Sequence, residues 1–346
     1  MFLPVLLVRD YGIWGWIVFA IPNVIGAAAM GWTVRDAAHS RRLVEAHRLA
    51  LIGFAIVTAS FQFYFGAWYF SQALGSKGEP NFLGTAILPA VTALYVLVLF
   101  LDDCPRARVG MAGVTYAVSI VCFGILLRLG GWNIPVAAET PQSGLWALAL
   151  ACALGFTLCP YLDPTFHEAR QQTSVAGGRI AFAIGFGVLF LLMVVFTLLY
   201  ARGAHEAAFA AVAIHILLQL AFTAAMHVHA LRRAAGGRSV VAVAAVLLLM
   251  PPLGYVGGET GYRLFMSFYG LLFPAYAWLC MLPTWREPQK LTRRAVIVFA
   301  AAAVLAAPFY HLAFIAGRMQ WVAVGVAIVL ASRLFLHDRR GKPALA

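Results

Sequence analysis

The chain has 346 residues, 63% of them hydrophobic and only 11% charged, whereas a soluble domain is about half apolar and about a quarter charged. This excludes a soluble globular fold and implies an all-α, polytopic membrane helix bundle, with residues 1–346 as a single integral membrane domain in contact with the lipid bilayer. The 25 Lys and Arg outnumber the 13 Asp and Glu, which in this class reflects basic cytoplasmic loops and not nucleic-acid binding.

In chain order, the opening "MFLPVLLVRD" has an apolar core too short for a signal peptide and no cleavage pattern, so the first helix is expected to be retained. About 20 apolar residues cross a bilayer, and eleven such stretches occur: 11–32, 48–70, 82–101, 109–128, 144–169, 179–200, 205–230, 239–256, 262–283, 294–314 and 320–336. With the N-terminus outside and the C-terminus cytoplasmic, 19 of the 25 basic residues fall on the inner side. One each remains outside, at Arg9, Lys77, Arg128, Arg202, Arg263 and Arg318. A wrong helix count would scramble this asymmetry, so eleven spans in a cell inner membrane are expected. The five cysteines, Cys104, Cys122, Cys152, Cys159 and Cys280, lack metal or disulfide spacing and read as small core residues.

The first span places Pro22 and Asn23 at its centre, followed by Gly26 and three alanines that permit close helix approach. In the second, Gln62 sits among aromatic residues. The fifth contains the most costly stretch, "CPYLDPTFHEAR": Pro160 and Pro164 interrupt the backbone ladder, and Asp163, His167 and Glu168 are expensive at membrane depth. One reading is a discontinuous helix lining a site. The other is that the helix ends near Tyr161 and a new, solvated one starts with Asp163 as cap and Pro164 in its first position. The two overlap, because a capped half-helix end is itself an ion-binding end.

The seventh span sets His215, Gln219, Phe222, Met226 and His229 within a stripe of roughly 80°, while His227 and His229 lie beside "LRR" at the boundary, where solvation is expected. The eighth ends in Pro251-Pro252, Gly257, Gly258 and Glu259, which fits an exit turn or an external gate. No HExxH, GxSxG or Walker pattern is present, and enzyme chemistry has no support.

"YGIWGWIVFAIPNVIGAAAMGWTVRDAAHSRR" resembles the early Tyr-Gly, glycine-rich helix and basic loop of the sodium/solute symporter family, which has the leucine-transporter-type inverted-repeat fold. "LDPTFHEARQQTSVAGGRIAFAIGFG" resembles that family's unwound sixth core helix, with Pro164, His167 and Arg170 in comparable order; His167 lies three residues after the proline where the family has one. The resemblance makes spans one to eleven similar to core helices two to twelve. It implies that the first core helix, part of the family's substrate and sodium sites, has no counterpart before Met1. In the span matching the eighth core helix, Thr223 alone stands where paired hydroxyl residues bind sodium.

The leading expectation is secondary, cation- or proton-coupled transport of a small polar solute. Asn23, Gln62, Tyr161, Asp163, His167, His215 and Gln219 would line a polar cavity, with Asp163 or His167 as the proton- or cation-responsive group. A second expectation is a non-transporting sensor or structural subunit whose missing helix is supplied by a partner chain. A third is a haem- or quinone-linked redox subunit resting on His215, His229 and His311.

Overall fold

The computed structural model describes residues 2–75, 80–101, 105–130, 134, 136–139, 141–201, 208–236, 238–285 and 291–336. Cys104, Lys77, Arg202, Arg286, Lys290, Arg339, Arg340 and Lys342 lie outside the described residues. The described chain is helical throughout: α1 (Leu3–Tyr11), α2 (Ile13–Thr33), α3 (Ala37–Ala46), α4 (Arg48–Ala73), α5 (Gly84–Leu101), α6 (Pro105–Gly130), α7 (Leu145–Leu158), α8 (Pro164–Gln171), α9 (Val175–Ile184), α10 (Leu191–Leu199), α11 (Phe209–Ala235), α12 (Arg238–Tyr276), α13 (Arg293–Phe314) and α14 (Val322–Ser332). Among these residues nine helical stretches are long and apolar enough to cross a membrane. The longest, Ser239–Thr284, is two spans: Gly258, at φ 52° and ψ −145°, bends α12 sharply. With α5, whose apolar part Gly84–Leu99 is shorter, the helices fall on all eleven stretches expected from hydropathy.

Local sequence sets the helix ends. Gly12 has φ 63° and sits against the Val136 carbonyl, where a side chain would not fit, so α1 and α2 meet at a break. Asp36, Asp163, Ser174 and Thr292 each cap the following helix by accepting a backbone N–H. Two wider π turns interrupt otherwise continuous spans, at Gly185–Phe190 between α9 and α10 and at Ala277–Met281 after α12.

Helix ends sort into two sets, as alternating spans require. At the end carrying most of the basic loops, Arg48 donates to the Ala234 carbonyl. His39 Nε2 donates to the Trp285 carbonyl at 2.7 Å, and His47 bonds Tyr276 and Thr284 at 3.0 and 3.1 Å. At the far end Arg9 pairs with Glu259 at 2.7 Å, Arg263 with Asp10 at 2.9 Å, and the Glu139 N–H with the Arg9 carbonyl at 2.9 Å. Pro251 and Pro252 lie inside the bend-containing helix, and Glu259 closes this far-end ion cluster.

Two elements depart from the hydropathy reading. The nine-residue α1, too short to span and lying ahead of the first expected span at 11–32, packs along α2 and α10. The fifth span does not continue through 169: α7 tightens into a 3-10 turn at Cys159–Leu162, and after extended Asp163 the short α8 begins. Both sequence readings of "CPYLDPTFHEAR" hold together, since the span breaks and Asp163 caps α8. The solvated part of the second reading fails: His167 and Arg170 on α8 are fully buried. Arg170 is held at the end of α2, donating to the Val34 and Arg35 carbonyls at 2.8 and 2.5 Å. Those carbonyls are the unpaired negative end of a helix, which the guanidinium fork satisfies.

Candidate functional site

A cavity of about 590 Å³ lies in the middle of the bundle, walled by α1, α2, α4, α7, the α9–α10 span, α11, α12 and α13. Its sides are chiefly aromatic and aliphatic, and its polar groups are few. Along α11 the row His215, Gln219, Thr223 and His227 faces it, and the 1.5 Å rise per residue separates the first and last of these by about 18 Å. The cavity is therefore elongated along the bundle axis.

The neutral polar groups on its wall include Asn23 from α2, Gln62 from α4, and His215 and Gln219 from α11. Ser119 of α6 organises the last two: its hydroxyl lies 3.0 Å from His215 Nδ1 and accepts from Gln219 Nε2 at 3.1 Å. The carboxamides of Asn23 and Gln62 line the cavity. An amide has two donors and an acceptor to offer a solute.

Asp163 lies where α7 breaks. Its Oδ1 accepts the Thr165 N–H at 2.8 Å and the Thr165 hydroxyl at 2.7 Å, which fixes the carboxylate at the start of α8. Its Oδ2 lies 3.9 Å from Nε2 of His227. That imidazole is 2% exposed, and its Nδ1 has no hydrogen-bond partner; the hydroxyl of Tyr310, which also lines the cavity, is likewise buried and unpartnered.

Five of the seven residues expected from sequence thus border one cavity: Asn23, Gln62, Asp163, His215 and Gln219. Tyr161 and His167 do not. The Tyr161 ring packs on Trp285 with centroids 4.9 Å apart, and its hydroxyl lies 2.9 Å from Thr33 Oγ1. His167 donates from Nε2 to the Tyr161 carbonyl at 2.9 Å, and its Nδ1 lies 2.9 Å from the Ser40 hydroxyl. Burial pushes its pKa down to about 4, so it stays neutral and joins α8 to α3. The 3-10 turn rotates these side chains behind the wall, a change of direction that regular helical spacing does not contain.

His227 takes the place expected of His167, and the expectation of solvation at its position is corrected: α8 covers this end of α11, and His227 and His229 are both buried. The i, i+4 row from His215 would have found it, because each step drifts only about 40° around the helix. The stripe ending at His229 drifts the other way. His229 instead meets Arg108 at 3.3 Å and Glu168 at 3.9 Å, and Glu168 also pairs with Arg233 at 3.0 Å. The imidazoles on which the redox reading rests do not form a facing pair: the ring neighbours of His215 are Phe196 and Tyr200, and His311 is exposed on α13. Thr223 faces the cavity but donates its hydroxyl to the Gln219 carbonyl of its own helix at 2.8 Å.

No family model matches the chain, and no curated protein does. Among solved structures it is similar to Mhp1, a nucleobase-cation-symport-1 family transporter in a closed conformation with bromovinylhydantoin bound. The identity is 14% over 98% of this chain and 90% of that one, with a TM-score of 0.44.

Proposed function

We propose that this multi-pass protein is a secondary transporter of an inner membrane, with a leucine-transporter-type arrangement of its spans, and that the central cavity holds its solute. The observation that carries this is the coincidence of the interrupted fifth span with the cavity. The break at Cys159–Asp163 delivers a carboxylate to a space otherwise bounded by apolar side chains and neutral polar groups. Irregular backbone at membrane depth is tolerated where it lines a cavity, and ionisable groups there mark a solute or ion path. The predominance of aromatic wall refines the expected solute from polar to one with an apolar body and a few polar groups. Asp163, with His227 beside it, is the proton- or cation-responsive group of this reading.

The test is uptake by purified protein in liposomes. Radiolabelled amines, amino acids and neutral heterocycles are offered under an imposed proton or sodium gradient. Gradient-driven accumulation of at least one compound is expected, reduced at least tenfold by Asp163→Asn. No accumulation under either gradient, or full accumulation by both Asp163→Asn and His227→Gln, would refute the proposal.

A further inference from the structure

We infer that the cavity takes an organic cation, a small amine on an aromatic or aliphatic body, with Asp163 as its counter-ion. This deepens the transport reading and rests on it.

Among the described residues lining the cavity, Asp163 is the only Asp, Glu, Lys or Arg. Its Oδ1 is committed to capping α8, but Oδ2 faces His227 Nε2 at 3.9 Å, beyond hydrogen-bonding distance. The cavity therefore has a fixed negative group with one oxygen left to pair. Phe61, Phe166, Phe222 and Tyr269 contribute aromatic faces to the same space, and ring faces attract a desolvated cation as they repel an anion.

A second observation is independent of the carboxylate. His227 is almost wholly buried, yet its Nδ1 is unpartnered. In the tautomer that carries its proton on Nε2, the nitrogen on the Asp163 side, Nδ1 is a lone-pair acceptor. A buried acceptor without a donor is costly, and a solute ammonium group supplies N–H donors that neither the phenyl rings nor the carboxylate can.

The competing chemistries fit less well. A helix start is an anion-binding end, but that of α8 is filled by the carboxylate of Asp163, so an anionic solute would meet like charge. A bare metal ion would need several ligating side chains, and no group of three or more His, Cys, Asp or Glu occurs among the described residues. Glu168, the next carboxylate along α8, does not line the cavity and is paired with Arg108 and Arg233.

The experiment uses the full chain in lipid nanodiscs and three probes of matched shape: phenethylammonium, neutral 2-phenylethanol and anionic 3-phenylpropionate. Binding is measured by equilibrium dialysis, with empty nanodiscs as the partition blank. Phenethylammonium should bind at least tenfold more tightly than either other probe. Asp163→Asn should abolish that preference, because asparagine preserves the helix cap and removes only the charge; Asp163→Glu should restore it in part. Equal binding of 2-phenylethanol, or undiminished cation binding by Asp163→Asn, would overturn the inference while leaving the cavity as a solute site. If no probe binds, the inference falls, and the uptake assay in liposomes decides the transport reading separately. Should Asp163→Asn not fold, the ranking of the three probes on the unaltered protein decides.

Discussion

Replacing Gly26 by alanine should separate α2 from α7 and destabilise the protein, although alanine is the better helix former. A Cβ at Gly26 would stand 2.7 Å from the Thr157 Cα and 2.9 Å from the Phe156 carbonyl carbon, and closer still to the Phe156 oxygen. Non-bonded carbon atoms rest about 3.5–4.0 Å apart, so the two backbones must part by roughly 1 Å. Overpacking of this kind costs about 1–3 kcal/mol, against a gain of up to about 1 kcal/mol for removing a helix glycine. With the full propensity gain, the net expectation is a loss of up to about 2 kcal/mol. Gly53 and Gly113 supply the control, since a Cβ at either meets nothing within 4 Å; there only the propensity gain remains. Thermal unfolding of the three variants in one detergent, followed by tryptophan emission, should rank Gly26→Ala below the unaltered protein and the other two at or above it. A Gly26→Ala protein as stable as Gly53→Ala would refute the argument that this glycine sets the α2–α7 distance. That distance matters to the site because Phe19 and Asn23, on one side, and Gly155, Phe156 and Cys159, on the other, border the cavity.

Two further outcomes concern groups outside the membrane-spanning segments. Burial holds His47 and His167 down to about 4, whereas an unfolded histidine titrates near 6.5. The unfolded chain therefore binds more protons between those values, so stability is complete above about pH 6.5 and is lost as pH falls towards 4. Unfolding midpoints recorded from pH 8 to 4.5 should drop over that window, and less steeply in His167→Asn; an unchanged slope in that variant would sink the assignment. Arg170→Gln should leave the Val34 and Arg35 carbonyls without their charged donor, at about 1–3 kcal/mol for each group left unsatisfied. Amide exchange over residues 34–40 should accelerate, and only partly recover in Arg170→Lys, because an ammonium cannot reproduce the guanidinium fork; exchange equal to that of the unaltered protein would count against the lock.

The eleven hydrophobic stretches, the interruption at Pro160–Pro164 and the cap at Asp163 were legible because each depends on local chemistry: apolar length, a missing backbone donor, a short side-chain oxygen beside free N–H groups. So was the opposition of basic and sparsely charged ends. The short α1 was not, since its six apolar residues from Leu3 to Val8 are too few to span, and the helix they begin is fixed by packing on α2 and α10. Nor could spacing decide which way the ionisable groups of the broken span point. Asp163 and His167 share a helical face by count, yet the 3-10 turn and the docking of α8 against α3 send one to the cavity and bury the other. Each residue turns a helix by about 100°, so a small difference in how a helix is rotated exchanges His229 for His227. Residue type and spacing determined that there would be spans, a break and a carboxylate in it; contact between helices far apart in the chain decided which side chains share the cavity, because rotation and depth are set by packing and not by the helix itself.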